Sequence, residues 1–203
     1  MVSFDICGQG KQLRVYADSK ELNDIAACRP TCIAILKEQL KKLNGHADTR
    51  AIDIAGGDGS LAKELLVAKY KTVDLFDRCP TAVKKAKLAL RNHPRIGHNS
   101  MSTMEEFDWP EDYNAIFMVW VSGYLSNIDL VEFLKRAKTR LKTAAGPSRR
   151  KSKPGSFIIL FDNVLAEGKK REPEKGQQFR TETRFEKIFK EASLFVHEKS
   201  GRK

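Results

Sequence analysis

The clearest signature of ligand chemistry lies where an apolar run meets a glycine-rich turn. Residues 52–66 read IDIAGGDGSLAKELL, so the glycines separate a strand-like run from a helix-like run. Gly56, Gly57 and Gly59 allow unusual φ values and a close approach of the backbone to a ligand. The predicted helix also offers unpaired N–H groups at its N-terminus. The pattern predicts a ligand-binding turn that contains these three glycines.

Acidic residues around the turn narrow the class of ligand. A dinucleotide fingerprint reads GxGxxG and holds a pyrophosphate, whereas this turn has Asp53 before it and Asp58 within it. Carboxylates repel a pyrophosphate but attract a cofactor with a cationic or amino-bearing end. Asp77 ends the next apolar run, where a carboxylate can accept hydrogen bonds from the hydroxyls of a ribose. The combination favours S-adenosylmethionine; the alternative is that these acids are ordinary surface-loop residues.

Alternating strand-like and helix-like patterns would hold this turn at the edge of a sheet. Hydrophobic periodicity predicts strands at 50–55, 72–77, 115–121 and 156–163, a short strand around Ser102, and the start of another at 195–199. Helical spacing predicts helices at 29–45, 60–70, 79–93, 127–142 and 181–194. This alternation predicts an α/β fold with a mostly parallel central sheet and helices on both faces. Ligands of such folds bind beyond the carboxyl ends of the strands.

The pattern divides the chain into an irregular N-terminal lead, residues 1–28, and one domain, residues 29–203. Pro30 fits the first turn of the first predicted helix, where its missing N–H costs nothing. Within the domain, residues 143–156 (TAAGPSRRKSKPGS) form a basic insertion that is longer than most helix-to-strand loops. It is either a phosphate-contacting or nuclear-import-like loop or a solvated insertion, and its basic residues are Arg149, Arg150, Lys151 and Lys153.

Length, net charge and cysteine content indicate the kind of protein and the compartment in which it is expected. The 203 residues, of which 41% are hydrophobic, suit one domain with a proper core. The net charge of +11 favours loose contact with nucleic acid or a ribonucleoprotein, or simply reflects Lys-rich helix faces in solvent. The sequence shows neither a membrane-spanning apolar run nor a secretory leader, and its scattered cysteines suit free thiols. We expect an intracellular protein, with cytoplasm, nucleus and organelle matrix all left open.

Two further stretches resemble one enzyme family. Residues 118–141 (MVWVSGYLSNIDLVEFLKRAKTRL) and 157–168 (FIILFDNVLAEG) are similar to the protein N-terminal methyltransferases, which methylate the α-amino group of chains beginning Xaa-Pro-Lys or Xaa-Pro-Arg. The resemblance covers most of the chain, from about Asp24 to about Glu198. It implies a Rossmann-like, seven-strand methyltransferase fold, here with a shortened C-terminal strand region, and S-adenosylmethionine as cofactor. The most specific matching residues are Trp120, Val121, Gly123, Leu125, Asp162, Asn163, Glu167 and Gly168.

The resemblance also implies roles for individual residues. Trp120 would flank the substrate's N-terminus, and Asn163 would hold or help to deprotonate its α-amine, which must be neutral to attack a sulfonium methyl. Ordinary core packing of Trp120 and a turn position for Asn163 are the alternatives. Tyr124 occupies the position of the family's substrate-side histidine. The implied cofactor contacts are Gly56, Gly57, Asp77, Arg78, Met104, Glu105 and Val119, and the glycine turn adds Gly59.

The chain departs from the family pattern mainly on the substrate side. Ser60 replaces an arginine that can pair with the cofactor carboxylate. The acidic stretch that receives the substrate's basic third residue reads KKREPEKGQQFR here, at residues 169–180. Two hypotheses follow: a methyltransferase with an altered substrate and weak activity on Xaa-Pro-Lys peptides, or a catalytically inactive subunit of a larger ribonucleoprotein assembly. Methylation of nucleic acid is a third, but the usual base-flipping tetrapeptide is missing.

Overall fold

The computed structural model of the chain describes residues 3–8, 11–18, 25–41, 49–142, 156–169 and 177–200. The strands are β1 (Ser3–Gly8), β2 (Lys11–Asp18), β3 (Arg50–Ile54), β4 (Thr72–Asp77), β5 (Ile96–Met101), β6 (Ala115–Val119), β7 (Phe157–Leu165), β8 (Arg180–Thr181) and β9 (Val196–Ser200). The helices are α1 (Ile25–Lys41), α2 (Val67–Lys69), α3 (Pro80–Ala89), α4 (Asn127–Thr139) and α5 (Glu182–Glu191). A π-helical segment, Ala62–Leu66, leads into α2, and a 3₁₀ turn, Ser122–Tyr124, precedes α4.

The strands form one mostly parallel sheet in the order β1-β2-β7-β6-β3-β4-β5, which confirms the predicted α/β fold. Among the described strands, only the β1–β2 pair is antiparallel, while β8 joins β7 and β9 joins β2. The strand order reverses at β3, because β4 and β5 extend the sheet on one side and β6 and β7 on the other. At such a switch point the carboxyl ends of neighbouring strands leave a crevice where ligands bind.

The central strands are buried on both faces, which explains their continuous apolar runs. On one face, Ile52, Phe76 and Met118 belong to a cluster that includes the inner residues of α4 and α5. On the other face, Leu75 and Phe117 pack with residues of α1, the π-helical segment and α3. The loops at the carboxyl edge of the sheet are therefore mounted on a close-packed support.

The N-terminal segment differs from the prediction. Two strands, β1 and β2, and the beginning of α1 lie within residues 1–28, where the sequence analysis predicted an irregular lead. The hydrophobic alternation is short, with Phe4 and Ile6 in one strand and Leu13 and Val15 in the other. Such short patterns are weak evidence for strands until a partner is known. Here β2 pairs in parallel with β7, and β9, in the C-terminal region predicted to be shortened, pairs with β2.

Two element boundaries also differ. Helix α1 begins at Ile25, so Pro30 lies inside the helix and not in its first turn. Proline cannot donate to the carbonyl four residues earlier, but burial of Leu36 and Leu40 against the sheet offsets that loss. The strand expected around Ser102 is β5, which ends at Met101.

Three further expectations concern the basic insertion, the cysteines and membrane-spanning segments. The basic residues of the insertion, Arg149 to Lys153, lie outside the described residues. Cys79 is an exposed free thiol, and Cys32 is buried. Among the described residues, no helix is long and apolar enough to cross a membrane.

Candidate active site

The glycine turn after β3 bends back over the end of its own strand. Gly57 and Gly59 adopt φ values of +58° and +77°, in the left-handed region that glycine enters without strain. The Gly56 amide donates to the Phe76 carbonyl at 2.9 Å, which ties the turn to β4. A Cβ on Gly56 would lie 3.0 Å from Asp53 Oδ2, so glycine lets the turn approach that carboxyl closely.

The Asp77 carboxylate joins the end of β4 to this turn. Its Oδ2 accepts a hydrogen bond from the Gly57 amide at 3.0 Å, and its Oδ1 accepts one from the Cys79 amide at 2.8 Å. Both loops that the sequence assigned to ligand binding are therefore in direct contact. Their backbone donors hold Asp77 in a defined orientation.

A cavity of about 410 Å³ opens beside these loops. Its volume lies within the range of about 300–1,000 Å³ that is typical of small-molecule sites. Its wall combines the ends of β3, β4 and β6 with residues 102–105, which follow β5. The sequence-predicted residues that line it are Gly56, Gly57, Asp77, Arg78, Met104, Glu105, Val119, Trp120 and Tyr124.

Gly59, which the sequence analysis also expected to contact a ligand, is not among the residues that line the cavity. It faces α3 instead: a Cβ at this position would lie 2.8 Å from Leu90 Cδ1 and 3.2 Å from Ala86 Cβ. Gly59 thus permits a helix to pack against the turn. Sequence spacing could not separate this packing role from ligand contact, because both roles require glycine.

Asp53 is the most unusual residue of the wall. It is 2% exposed, and its Oδ2 accepts no hydrogen bond from the described residues. Burial, followed by the nearby charges of Asp77 and Asp58, raises the pKa of this carboxyl to about 8. The sequence analysis placed Asp53 on the strand before the turn but did not name it as a site residue. The sequence feature that could have identified it is an acidic residue within an otherwise apolar strand.

Trp120 follows β6 in a strained conformation. Its φ of +54° is uncommon for a bulky side chain, and its amide donates to the Phe161 carbonyl at 2.7 Å. The ring packs edge-on against Phe161, with centroids 5.4 Å apart, so part of the core-packing alternative is correct. Nevertheless Trp120 lines the cavity, and its buried Nε1 has no acceptor among the described residues.

Tyr124 links opposite sides of the cavity mouth. Its ring lies under the Arg78 guanidinium, 5.7 Å from guanidinium carbon to ring centroid. Its hydroxyl accepts a hydrogen bond from Gln177 Nε2 at 2.6 Å. The side chain is still 42% exposed, so a ligand at the mouth can contact it.

Asn163 lies near the end of β7, on the strand next to β6. It does not line the cavity in this structure. Its backbone N–H donates to Asp162 Oδ1 at 2.8 Å. The buried side-chain oxygen Oδ1 of Asn163 has no donor in the part of the chain that the structure describes. The ends of β6 and β7 therefore present an unpaired donor on Trp120 and an unpaired acceptor on Asn163.

Comparison with known proteins places this geometry in a family. Residues 18–203 match the family described as AdoMet-dependent proline di-methyltransferase. The chain belongs to this family. The S-adenosylmethionine-dependent fold and the resemblance to N-terminal methyltransferases predicted from the sequence are thereby confirmed.

Individual relatives agree with the family assignment. The chain is 34% identical to Alpha N-terminal protein methyltransferase 1 of Caenorhabditis elegans over 77% of this chain and 64% of that protein. It is 31% identical to N-terminal Xaa-Pro-Lys N-methyltransferase 1-B of Xenopus laevis over 73% of this chain and 63% of that protein. The chain thus spans less than two thirds of the length of these relatives. A Leishmania major SAM-dependent methyltransferase shares the fold, with a TM-score of 0.66 and 24% identity over 85% of this chain and 65% of that one.

The wall of the cavity fits the cofactor of this AdoMet-dependent family. Asp53 offers a buried carboxyl without a donor, which a cationic, N–H-bearing ligand would satisfy. Asp77 presents a carboxylate at the end of the second strand of the switch point, where ribose hydroxyls are bound in related folds. A pyrophosphate would instead bring further negative charge close to these acids.

The two glycines of the family's turn have separable roles that substitution can test. We expect Gly59→Ala to lower the free energy of unfolding by about 2–4 kcal/mol, because it combines left-handed strain with overlap against Leu90. Gly57→Ala, which has no atom within 4 Å of its new Cβ, should cost only about 1–2 kcal/mol from the same strain. Urea unfolding followed by circular dichroism measures both. Equal losses would show that Gly59 is not packed as described.

Asp53 should make the stability of this methyltransferase-family chain depend on pH. A folded-state pKa of about 8, against 3.8 when unfolded, means that the folded state alone holds the proton between these values. Stability therefore falls as pH rises through this window, and the loss is complete above pH 8. We expect wild type to lose stability relative to Asp53→Asn between pH 5 and pH 9 in denaturant unfolding. Parallel curves for the two proteins would contradict the assignment.

Proposed function

We propose that this chain binds S-adenosylmethionine in the cavity and transfers its methyl group to the α-amine of a protein. The observation that carries the proposal is that Asp53, Asp77 and Trp120 line the same cavity. Asp53 is buried and its Oδ2 has no donor among the described residues, and Trp120 has a strained backbone. The family assignment and the names of the relatives support the reaction class.

The cofactor half of the cavity would be formed by the ends of β3 and β4. Asp77 would accept hydrogen bonds from the ribose, and Asp53 would lie towards the cationic end of the ligand. Arg78, Met104 and Val119 would complete the wall. When bound, the cofactor supplies an electrophilic methyl group on a sulfonium.

The acceptor half would be formed by the ends of β6 and β7. An α-amine has a pKa of about 7.7–8.0, so a large fraction of the amine is already neutral near pH 8. The protein therefore needs no dedicated base to remove its proton. The free Asn163 Oδ1 can accept an N–H of that amine and so orient its lone pair. Trp120 Nε1 can donate to a peptide carbonyl, and Tyr124 borders the entrance.

The preferred substrate should differ from the Xaa-Pro-Lys chains named for the relatives. Family resemblance implies that the segment after Gly168 receives the third residue of the substrate. Lys169 is exposed there, and the sequence continues with Lys170, Arg171 and Lys175, which lie outside the described ranges. Like charges disfavour a Lys or Arg in that position.

The inactive-subunit alternative rests on the departures from the family pattern at Ser60, Tyr124 and residues 169–180, and the ribonucleoprotein and nucleic-acid alternatives rest on the net charge of +11 and on the basic insertion. Because the residues of that insertion fall outside the part of the chain that is described, no structural observation favours these alternatives over methyl transfer.

Cofactor binding is tested by isothermal titration with S-adenosylhomocysteine. We expect micromolar affinity for wild type and a loss of about 10- to 100-fold for Asp77→Asn, because a charge-assisted hydrogen bond contributes about 1.5–3 kcal/mol. Asp108→Asn, an exposed acid outside the cavity, is the matched control and should bind as wild type does. A folded wild-type protein that binds no ligand would refute the proposal.

Methyl transfer is tested with peptides that begin Xaa-Pro-Lys or Xaa-Pro-Gln, together with an N-acetylated control. We expect faster methylation of the Gln peptide, weak methylation of the Lys peptide and none of the acetylated one. Asn163→Ala should lower kcat/KM about 10- to 100-fold, since it removes one hydrogen-bond acceptor worth about 1–3 kcal/mol. Robust turnover of the Lys peptide would disprove the altered specificity. Normal turnover by Asn163→Ala would disprove the role of that residue.

A further inference from the structure

A buried cation lies behind the acceptor half of the cavity. Arg180, in β8, is 3% exposed and does not line the cavity. Burial lowers the pKa of its guanidinium, and the charge of Asp162 opposes that shift. Its guanidinium donates to the carbonyls of Ser122 (2.8 Å) and Leu125 (2.5 Å) and to the side-chain oxygens of Asn127 (2.8 Å) and Gln178 (3.3 Å).

The same turn is held from its other side by Asp162. This buried carboxylate accepts hydrogen bonds from the Ser122 amide at 3.0 Å and from the Ser122 hydroxyl at 2.5 Å. Ser122 therefore uses its amide, hydroxyl and carbonyl in this network. Arg180 and Asp162 fix the turn Ser122–Tyr124 between them.

The held turn carries the candidate acceptor residues. Tyr124 belongs to it, and Trp120 lies two residues before its start. Asp162 also accepts a hydrogen bond from the backbone N–H of Asn163, so one carboxylate joins the turn to the end of β7. The adjoining segment packs on the same turn, because the Gln178 amide donates to the Gly123 carbonyl at 2.6 Å.

Holding a turn with buried charged side chains costs desolvation free energy. Apolar residues of similar volume often give equal or higher stability, so a buried ionic network is weak evidence for a role in stability. Its distinctive property is geometric, since the planar guanidinium presents its donors in fixed directions. The four acceptors of Arg180 come from the 3₁₀ turn, the residue that follows it, the start of α4 and the segment before β8, which are the parts that must be aligned around Tyr124.

We propose that Arg180 and Asp162 are positioning residues that set the geometry of the acceptor half of the cavity while leaving the cofactor half independent. The proposal rests on the proposed methyl transfer to an α-amine. Neither side chain lines the cavity, so Arg180 acts through Ser122 and Leu125, and Asp162 acts through Ser122 and Asn163.

The test compares Arg180→Met and Ser122→Ala with Arg184→Met, an exposed arginine four residues away on α5. Ser122→Ala removes only the hydroxyl that donates to Asp162 and remains informative if Arg180→Met folds poorly. Three quantities are measured: affinity for S-adenosylhomocysteine, KM for the methylated peptide, and amide hydrogen exchange of residues 121–127.

For Arg180→Met we expect peptide KM to rise at least 10-fold and exchange at 121–127 to accelerate at least 10-fold. For Ser122→Ala we expect changes of about 3- to 10-fold in the same direction, the size that follows from losing one hydrogen bond. Affinity for S-adenosylhomocysteine should stay within twofold in both variants. Arg184→Met should match wild type in all three measurements.

Two results would overturn the proposal. One is unchanged exchange and unchanged peptide KM in Ser122→Ala and in any folded Arg180→Met protein. The other is a parallel loss of cofactor and peptide binding with faster exchange throughout β3 and β4, which would indicate a general structural role. If wild type binds S-adenosylhomocysteine but methylates no peptide, the proposed function fails. The location of the exchange change then decides the positioning role by itself.

Discussion

The hydrogen bond from the Gly57 amide to the Asp77 carboxylate joins the two loops on which the site depends. The loops follow adjacent parallel strands, so their starting points are set by the register that pairs Ile54 with Phe76. A second bond, from the Gly56 amide to the Phe76 carbonyl, holds the turn close to β4. The cavity exists because these contacts draw the backbone together on one side and leave the end of β6 as the opposite wall.

Charge around the cavity opposes the charge of the chain as a whole. The chain carries a net charge of +11, whereas Asp53, Asp58, Asp77 and Glu105 all line the cavity. Burial makes this local negative charge unfavourable, and the raised pKa of Asp53 expresses that cost. A cationic ligand would relieve it. Net charge therefore says little about the ligand of a cavity that four acids and one arginine line.

The predictable and unpredictable parts of the site differ in their physical origin. Gly56, Gly57 and Asp77 were identifiable because a glycine turn between a strand and a helix, followed by an acid at the next strand end, is a local pattern. Gly59 satisfied the same pattern, yet it accommodates Leu90 of the α3 segment. The short alternation of β1 and β2 was overlooked for a related reason, since a strand gains its stability from a partner such as β7, far along the chain.

Hydrophobic periodicity and the family motifs, read from the sequence by itself, determined the α/β fold, the position of the glycine turn and the residues around Trp120, because these features depend on neighbours in the chain. Only the tertiary structure decided that Asp53 Oδ2 has no donor among the described residues, that Tyr124 lies under Arg78, and that Arg180 holds a turn 58 residues away in sequence. These contacts join distant segments. The physical reason is that burial and hydrogen-bond partners are set by how whole strands and helices pack, which no local pattern contains.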